Sequence, residues 1–336
     1  MGGALCAAHK NITERCFKMA YTKEQKSFIS QDKETEIVYY VYTPDKTPKA
    51  IFHIIHGMCE YMERYEHFAE YLCDKGIVVC GSDLRGHGKS AKTKDDLGYF
   101  GAKKGYDYFS KDTESLRLIM REKYRRLPYI MFGHSMGSLI LRDYIVDHGT
   151  DIDGAVISGT VGGKYPVKQG IALTGFTARF KGGKTRQTSL KDAIMKVFDM
   201  EFPEKTPGAW ISRDTAIGEA HANDELCNFT FTSRGYNDLL RLYEMVSYPE
   251  WAYDVPKSLP IFIISGSDDP IGSKGKGVEL VYQELLDAEV NNVNMKLYEN
   301  ARHELINEIN KEEIFDDIHD WCDKVIEGVV ECMKMN

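Results

Sequence analysis

The sequence predicts an α/β fold with a mostly parallel central sheet, helices on both faces and a mainly helical insertion. Short apolar segments alternate with amphipathic segments along most of the 336-residue chain. This alternation breaks between about residues 160 and 256, and one apolar segment runs into a Gly-x-Ser-x-Gly turn. Strands that alternate with helices form parallel sheets covered on both faces, which is the basis of the prediction.

The first half of the chain contains predicted strands separated by helical patterns. These strands are at residues 27–29, 36–42, 50–55, 77–80, 129–132 and 154–158. Apolar residues at helical spacing predict helices around residues 65–72, over residues 106–125 and directly after Ser135. We assign residues 25–159 to the core and residues 1–24 to an N-terminal extension that we expect to be poorly ordered.

The alternation resumes in the last third of the chain. Strands are predicted at residues 261–264 and 293–298, and helices over 276–287 and near the C-terminus, with Ile314, Ile318, Trp321 and Val325 on one face. Residues 257–336 therefore complete the core. Residues 160–256 form an inserted cap, or lid, over the carboxyl edge of the sheet, where ligands of open α/β sheets bind.

Composition excludes several classes of protein. Hydrophobic residues make up 43% of the chain and charged residues 28%, as in an ordinary globular protein. The net charge of −8 argues against a nucleic-acid-binding protein, and no apolar run approaches the ~20 residues of a membrane span. The first residues lack the basic start of a secretory signal, and the eight cysteines are scattered as in reduced proteins. We therefore expect a cytoplasmic protein.

The candidate nucleophile lies in Gly133-His134-Ser135-Met136-Gly137, directly after the apolar run at residues 129–132. Such a turn from strand to helix lifts the serine hydroxyl clear of the backbone. Its strained dihedral angles and close contacts require minimal side chains two positions before and after the serine. Ser135 is therefore the predicted nucleophile.

A serine nucleophile needs a histidine base, which a carboxylate orients. Among the histidines after Ser135, only His303 follows a predicted core strand directly; the others are His148, His221 and His319. The carboxylate candidates, Asp268 and Asp269, both follow the strand at residues 261–264. Pro270 fixes the backbone after Asp269, which favours that residue, while Asp268 stays an alternative.

Two backbone N–H groups are needed to stabilise the oxyanion that develops during acyl transfer. One is the N–H of Met136, directly after the nucleophile. The other is expected in the loop after the strand at residues 50–55, where Gly57 permits an unusual turn and precedes Met58. Met58 and Met136 are therefore the predicted donors, and His56 is expected to order this loop rather than to react.

Three other motifs do not predict a site. His53 and His56 are three residues apart, so on a strand they face opposite sides and cannot share a metal ion. Gly183-Lys184-Thr185 lacks the first glycine of a phosphate-binding loop, because Ala178 stands there. The segment at residues 83–88 predicts a structural turn held by Asp83 and Arg85. The sequence thus predicts neither a cofactor nor a metal ion.

Five motifs together resemble the monoacylglycerol lipase and lysophospholipase group of α/β-hydrolases over residues 25–330. They are His56-Gly57-x-x-Glu60, Asp83-x-Arg85-Gly86-His87-Gly88-x-Ser90, Gly133-His134-Ser135-Met136-Gly137, Gly266-x-x-Asp269 and Ala301-x-His303-Glu304. The resemblance implies an α/β-hydrolase fold with a lid, and a serine hydrolase that acts on monoacylglycerols, lysophospholipids or related carboxylic esters. By position it implies a triad of Ser135, Asp269 and His303, with Met58 and Met136 as the oxyanion donors.

The chain departs from this group at two places. The group often has histidine after the loop glutamate, where this chain has Tyr61. The insertion, with Trp210-Ile211-Ser212-Arg213-Asp214, is more similar to bacterial lysophospholipase-like members than to the mammalian lipase. Acyl transfer or peptidase-like cleavage on the same triad is an alternative activity, and a non-catalytic ligand-binding homologue is another. Acyl-chain length, head group and oligomeric state are not predicted.

One segment of the insertion has an unusual charge. Residues 154–191 contain no Asp or Glu, but they contain Lys164, Lys168, Arg179, Lys181, Lys184, Arg186 and Lys191, with large apolar residues between them. One hypothesis is that this segment contacts anionic membranes, since a basic side chain near such a surface contributes ~1 kcal/mol. The alternative is a solvated basic segment that balances nearby acidic surface.

Overall fold

A single β-sheet lies at the centre of the fold. The computed structural model describes residues 21–163, 165 and 167–335, and within these ranges eight strands form this sheet. The strands are β1 (Tyr21–Ile29), β2 (Glu36–Pro44), β3 (Ala50–Ile55), β4 (Ile77–Ser82), β5 (Tyr129–His134), β6 (Gly154–Ser158), β7 (Ile261–Gly266) and β8 (Val293–Tyr298). Their order across the sheet is β1-β2-β4-β3-β5-β6-β7-β8. β2 pairs antiparallel with both of its neighbours, β1 and β4. Every pair from β4 onward in this order is parallel.

Helices cover both faces of the sheet. The α-helices in the described part of the chain are α1 (Glu66–Asp74), α2 (Asp107–Lys123), α3 (Met136–His148), α4 (Val167–Phe180), α5 (Thr188–Met200), α6 (Thr215–Asn223), α7 (Ser233–Val246), α8 (Lys276–Asp287) and α9 (Lys311–Met335). Helices α1 and α9 pack on one face, where Phe52, Phe68 and Phe315 share one core. Helices α2, α3 and α8 cover the other face.

The central strands are buried along their whole length. Every residue of β3, β4, β5, β6 and β7 is buried. Side chains alternate between the two faces, so Ile51 belongs to one core and its neighbour Phe52 to the other. This two-sided burial explains why these strands are nearly continuous apolar runs in the sequence.

The first strand is longer than the sequence predicts. β1 begins at Tyr21 and pairs with β2 over nine residues, whereas the prediction started the strand at Ser27 and ended the extension at residue 24. Charged residues obscure the strand in the sequence because β1 is an edge strand, on which exposed charges such as Lys26 protect the sheet from other chains. Residues 1–20, where the rest of the predicted extension falls, lie outside the described residues.

Helices α4 to α7 occupy the segment between β6 and β7. Helix α7 packs against both α3 and α4, so the end of this segment contacts the core. There, the buried Arg142 of α3 donates to the carbonyl oxygen of Val246 at 2.6 Å and lies 4.4 Å from the Trp251 ring centroid. The division into a core and a cap at residues 160–256 stays a prediction.

Candidate active site

Ser135 lies at the sharp turn between β5 and α3. Its φ of 53° and ψ of −118° are strained for a residue with a side chain. A Cβ atom on Gly137 would overlap the carbonyl oxygen of Ile55, and one on Gly133 would overlap that of Gly137. The two glycines of the motif are therefore required because backbone from neighbouring elements lies directly against the turn.

The imidazole of His303 lies between Ser135 and Asp269. Its Nε2 is 2.9 Å from the Ser135 Oγ atom, and its Nδ1 is 2.8 Å from Asp269 Oδ2. With the proton on Nδ1, the ring donates to the carboxylate and accepts from the serine hydroxyl. Asp269 is fully buried, and its other oxygen accepts from the N–H of Ile271 at 2.9 Å. The carboxylate that accepts from His303 Nδ1 is thus that of Asp269 rather than that of Asp268.

The other histidines after Ser135 lie elsewhere. His148 is at the far end of α3, and His319 is on α9, where it contacts Asp323. His221, which the sequence analysis set aside as part of the insertion, lines the cavity above Ser135. Burial lowers the pKa of His221 below its usual value.

The two predicted oxyanion donors belong to residues near Ser135. Met136 is the first residue of α3, so its N–H has no partner within the helix. Met58 follows Gly57, whose Cα lies so near Ser135 that an added Cβ would be 3.0 Å from the serine Cβ. Among the described residues, the Met58 N–H donates to no protein acceptor. Both N–H groups are therefore available to another acceptor.

A cavity of about 470 Å³ opens above Ser135 and His303. Its roof comes from the segment between β6 and β7 and includes Met195, Met200, Trp210 and Ile211. The Trp210 ring centroid is 5.2 Å from that of His303. The sequence analysis named Trp210 and Ile211 only as part of the insertion and assigned none of these four residues to the site, because the fold decides which residues of the insertion face the nucleophile.

Comparisons with known proteins agree with this geometry. A family model described as serine aminopeptidase, S33 (Hydrolase_4) matches residues 46–310. The chain belongs to this family. This match, together with similar lipases and esterases, confirms the predicted α/β-hydrolase fold and the resemblance to the monoacylglycerol lipase group.

Individual members of this α/β-hydrolase group match nearly the whole chain. The monoacylglycerol lipase of Mycolicibacterium smegmatis is 26% identical over 293 residues, which cover 85% of this chain and 92% of that protein. Phospholipase YtpA of Bacillus subtilis is 25% identical, with 83% and 97% covered. A thermostable carboxyl esterase from Bacillus coagulans, solved in complex with glycerol, has a TM-score of 0.84 and 33% identity, with 90% of this chain and 99% of that chain covered.

A buried ionic network lies beneath the candidate triad of this hydrolase. Glu60 contacts the Nδ1 of His134 at 2.8 Å, and Arg64 donates two hydrogen bonds of 2.8 Å to Glu304. The Tyr65 hydroxyl donates to the second oxygen of Glu60 at 2.8 Å. The family motifs in the sequence contain Glu60 and Glu304, but the sequence analysis assigned neither a role. It did not consider Arg64, although Glu60 and Arg64 have the i, i+4 spacing of ion pairs.

His56 and Asp83 order the turn that follows β4. The Nε2 of His56 accepts from the N–H of Leu84 at 2.9 Å, and burial lowers the pKa of His56 to about 4. Asp83 accepts from the N–H groups of Met62 and Lys89 at 2.8 and 2.7 Å, and burial raises its pKa to about 6. These contacts order the turn rather than reach Ser135.

One group of described side chains has the spacing of metal ligands: Glu114, His148 and Asp151, whose ligand atoms all lie within 4.8 Å of one another. Arg117 donates to both oxygens of Glu114, and Tyr144 also donates to one of them. His148 is at the opposite end of α3 from Ser135, about 20 Å away along the helix. This group is therefore too far from Ser135 to take part in a reaction there.

Proposed function

We propose that Ser135, His303 and Asp269 form the catalytic triad of this serine hydrolase, and that the N–H groups of Met58 and Met136 form its oxyanion hole. The observation that carries the proposal is the position of the His303 imidazole, which contacts the serine hydroxyl and the buried carboxylate at the same time. This is the arrangement that activates a serine nucleophile.

The reaction follows from these contacts. His303 Nε2 takes the proton of Ser135 as Oγ attacks the carbonyl carbon, while Asp269 orients the ring. The Met58 and Met136 N–H groups stabilise the negative oxygen of the tetrahedral intermediate. When the C–O bond breaks, His303 gives its proton to the leaving alcohol, and an acyl-serine remains. Water then attacks in the same way, releasing the carboxylic acid and Ser135.

The protein is a carboxylic-ester hydrolase, and we infer that it acts on monoacylglycerols, lysophospholipids or related lipid esters. The monoacylglycerol lipase, the phospholipase and the carboxyl esterase that it resembles support this substrate class. Met195, Met200, Trp210 and Ile211 offer apolar contact to an acyl chain in the cavity above Ser135.

A panel of substrates tests the activity. Monoacylglycerols, lysophospholipids and simple esters of graded acyl length should be compared, together with aminoacyl amides and an alcohol acceptor. We expect lipid esters to give the highest kcat/KM. A sharp preference for short soluble esters would contradict the lipid assignment, and faster amide cleavage would support the peptidase-like alternative that the family description contains. A non-catalytic homologue would form no adduct with a fluorophosphonate.

We further infer that helix α4 contacts anionic membranes, with the protein itself located in the cytoplasm. On α4, Leu173, Phe176 and Phe180 are 62–66% exposed and lie at helical spacing. No described helix is long and apolar enough to cross a membrane. The buried cysteines Cys59, Cys73, Cys80, Cys227 and Cys322 carry no disulfide, which supports a reducing compartment.

The basic residues of this segment divide into two groups. Lys184 pairs with Asp96, Arg186 donates to backbone carbonyls, and Lys191 donates to the side-chain oxygen of Asn228, so these three are used within the protein. Lys168, Arg179 and Lys181 are exposed around the apolar side chains of α4, whereas Lys164 lies outside the described residues. Binding to anionic vesicles that weakens with salt would support the proposal, and binding that ignores lipid charge and ionic strength would contradict it.

A further inference from the structure

Four charged or titratable side chains are buried together beneath Ser135, although they come from three separate segments of the chain. Glu60 belongs to the loop that contains Met58, and Arg64 follows it. His134 directly precedes the nucleophile, and Glu304 directly follows His303. The exposed fraction of these four side chains is 12% or less. Burial of this kind requires that each charge be compensated by a partner.

The partners can be followed from one loop to the next. Arg64 bonds to both oxygens of Glu304 at 2.8 Å and lies 3.5 Å from Glu60. Glu60 in turn contacts His134 Nδ1 at 2.8 Å. The second ring nitrogen of His134, Nε2, is 3.3 Å from the main-chain carbonyl oxygen of His303. The network therefore joins the loop of the predicted oxyanion donor, the nucleophile turn and the loop of the predicted base.

The contacts of His134 identify its protonation state. Both of its ring nitrogens face acceptors, the Glu60 carboxylate on one side and the His303 carbonyl on the other. A neutral imidazole can donate from only one nitrogen, whereas an imidazolium donates from both. A positive charge on His134 also makes the network neutral, since two carboxylates then face two cations, Arg64 and His134.

We propose that His134 is a protonated positioning residue, which with Glu60 holds the Met58 loop and the His303 loop in register around Ser135. The Glu60 carboxylate packs directly against Gly57, where an added Cβ would overlap it. Glu60 therefore holds the Met58 loop in place. His134 fixes the other loop through the backbone of His303. The inference rests on the proposed triad, and it gives His134 no direct role in proton transfer.

The electrostatics of the pair are consistent with this assignment. Burial opposes a charge on His134, but attraction and hydrogen bonding to Glu60 raise its pKa above the usual value. Burial also opposes the charge of Glu60, yet His134 holds the pKa of that carboxyl well below its usual range. The charged or titratable groups around His134 are Glu60, Arg64, Tyr65, His56, His303 and Glu304.

Other buried histidines in the chain show what happens without a carboxylate. Burial lowers the pKa of His53 and of His87 to about 3. His53 is buried in β3, and its Nδ1 lies 2.9 Å from the neutral hydroxyl of Tyr129. His53 is therefore a matched control for His134, equally buried on a core strand but outside the active site.

The first experiment is performed on the wild-type protein. Nitrogen-15 NMR of the imidazole rings distinguishes an imidazolium from either neutral tautomer, and the His134→Gln spectrum assigns the signal. We expect His134 to carry protons on both nitrogens at pH 7 and His53 to be neutral. A neutral His134 at pH 7 would overturn the proposal, whatever the variants do.

The second experiment measures kinetics on a soluble p-nitrophenyl ester. Glu60→Gln keeps the shape of the side chain but removes its charge, so we expect kcat to fall about 10- to 100-fold and KM to change by less than about threefold. His53→Gln should lower the melting temperature with kcat within about twofold of wild type. A Glu60→Gln protein with wild-type kcat would overturn the proposal.

The two proposals fail in different ways. If the proposed triad is wrong, a fluorophosphonate forms no adduct at Ser135 of the wild-type protein. If only the network proposal is wrong, that adduct and the wild-type turnover remain. Should Glu60→Gln not fold, the wild-type NMR measurement still decides, because the protonation state of His134 is read without any variant of Glu60.

Discussion

The network beneath Ser135 buries charged side chains, whereas the surface of helix α4 exposes large apolar ones. Both regions reverse the usual distribution, in which charged side chains are exposed and apolar ones are buried. Beneath Ser135, the charged Glu60, His134 and Glu304 are buried and each has a partner of opposite charge or a hydrogen bond. On α4, the apolar Phe176 and Phe180 are exposed, with ring centroids 4.4 Å apart. Buried charges that are paired with opposite charges hold their segments in a fixed geometry. An exposed apolar surface is instead available for contact with a partner. The two regions should therefore respond to different perturbations.

The largest expected effect concerns the buried region alone. Ser135→Ala removes the proposed nucleophile, so we expect kcat/KM for any ester to fall by about 10⁴-fold or more. The measurement is hydrolysis of a soluble ester, with intact-mass spectrometry after fluorophosphonate treatment. Vesicle binding should be unchanged, because α4 does not contain Ser135. Retention of most of the activity would identify another nucleophile.

A smaller loss is expected at the carboxylate that orients His303. Asp269→Asn should lower kcat by about 10³- to 10⁴-fold, since the amide cannot hold the productive tautomer of the imidazole. Asp268→Asn is the matched control, and we expect its kcat to stay within about threefold of wild type. Equal losses in the two variants would mean that the 2.8 Å contact between Asp269 and His303 does not orient the base.

The converse effect is expected at the exposed helix. Replacing both Phe176 and Phe180 with Ser should weaken binding to anionic vesicles by about tenfold or more, because each ring loses apolar contact with lipid. Turnover of a soluble ester should not change, since neither ring lines the cavity. Leu118→Ser, on the exposed side of α2, is the control and should leave vesicle binding intact. Loss of turnover on the soluble ester would instead connect α4 to the reaction.

Local sequence patterns predicted the parts of the molecule that depend on near neighbours. The buried strands are continuous apolar runs, and the turn at Ser135 needs small residues at two fixed positions. His303 and the pair Asp268 and Asp269 were predicted because they follow strands that end at the same edge of the sheet, and Pro270 favoured Asp269. The 2.9 and 2.8 Å contacts then come from the parallel order of β5, β7 and β8.

The features that were missed depend on folding of distant segments. Trp210 lies above His303 only because the insertion folds back over the sheet. Arg64 and Glu304 are 240 residues apart, and no local pattern relates them. The predicted β1 was too short, because its charged residues are typical of a loop. Only its pairing with β2 identifies the whole segment as a strand. Nothing local to the sequence distinguishes the charged His134 from the neutral His53.

The smallest expected effect concerns the contact between the insertion and the core. Asp238 of α7 is buried, and its Oδ2 faces Gly105, where an added Cβ would be 2.6 Å away. Burial raises the pKa of Asp238 to about 7, above the ~3.9 of an unfolded aspartate. Between these two values the folded chain holds a proton that the unfolded chain has lost. This contribution to stability is therefore complete below about pH 4 and is lost as the pH rises through 7.

Asp238→Asn imitates the protonated carboxyl, so it should remove this part of the pH dependence. We expect the free energy of unfolding of the variant, measured with urea at pH 5 and pH 8, to fall less with pH than that of the wild type. Asp83 and Asp143, whose pKa values burial raises to about 6, contribute equally to both proteins, and the exposed Asp254→Asn is the control. Parallel pH profiles for wild type and Asp238→Asn would mean that α7 keeps its contact with the core without this proton.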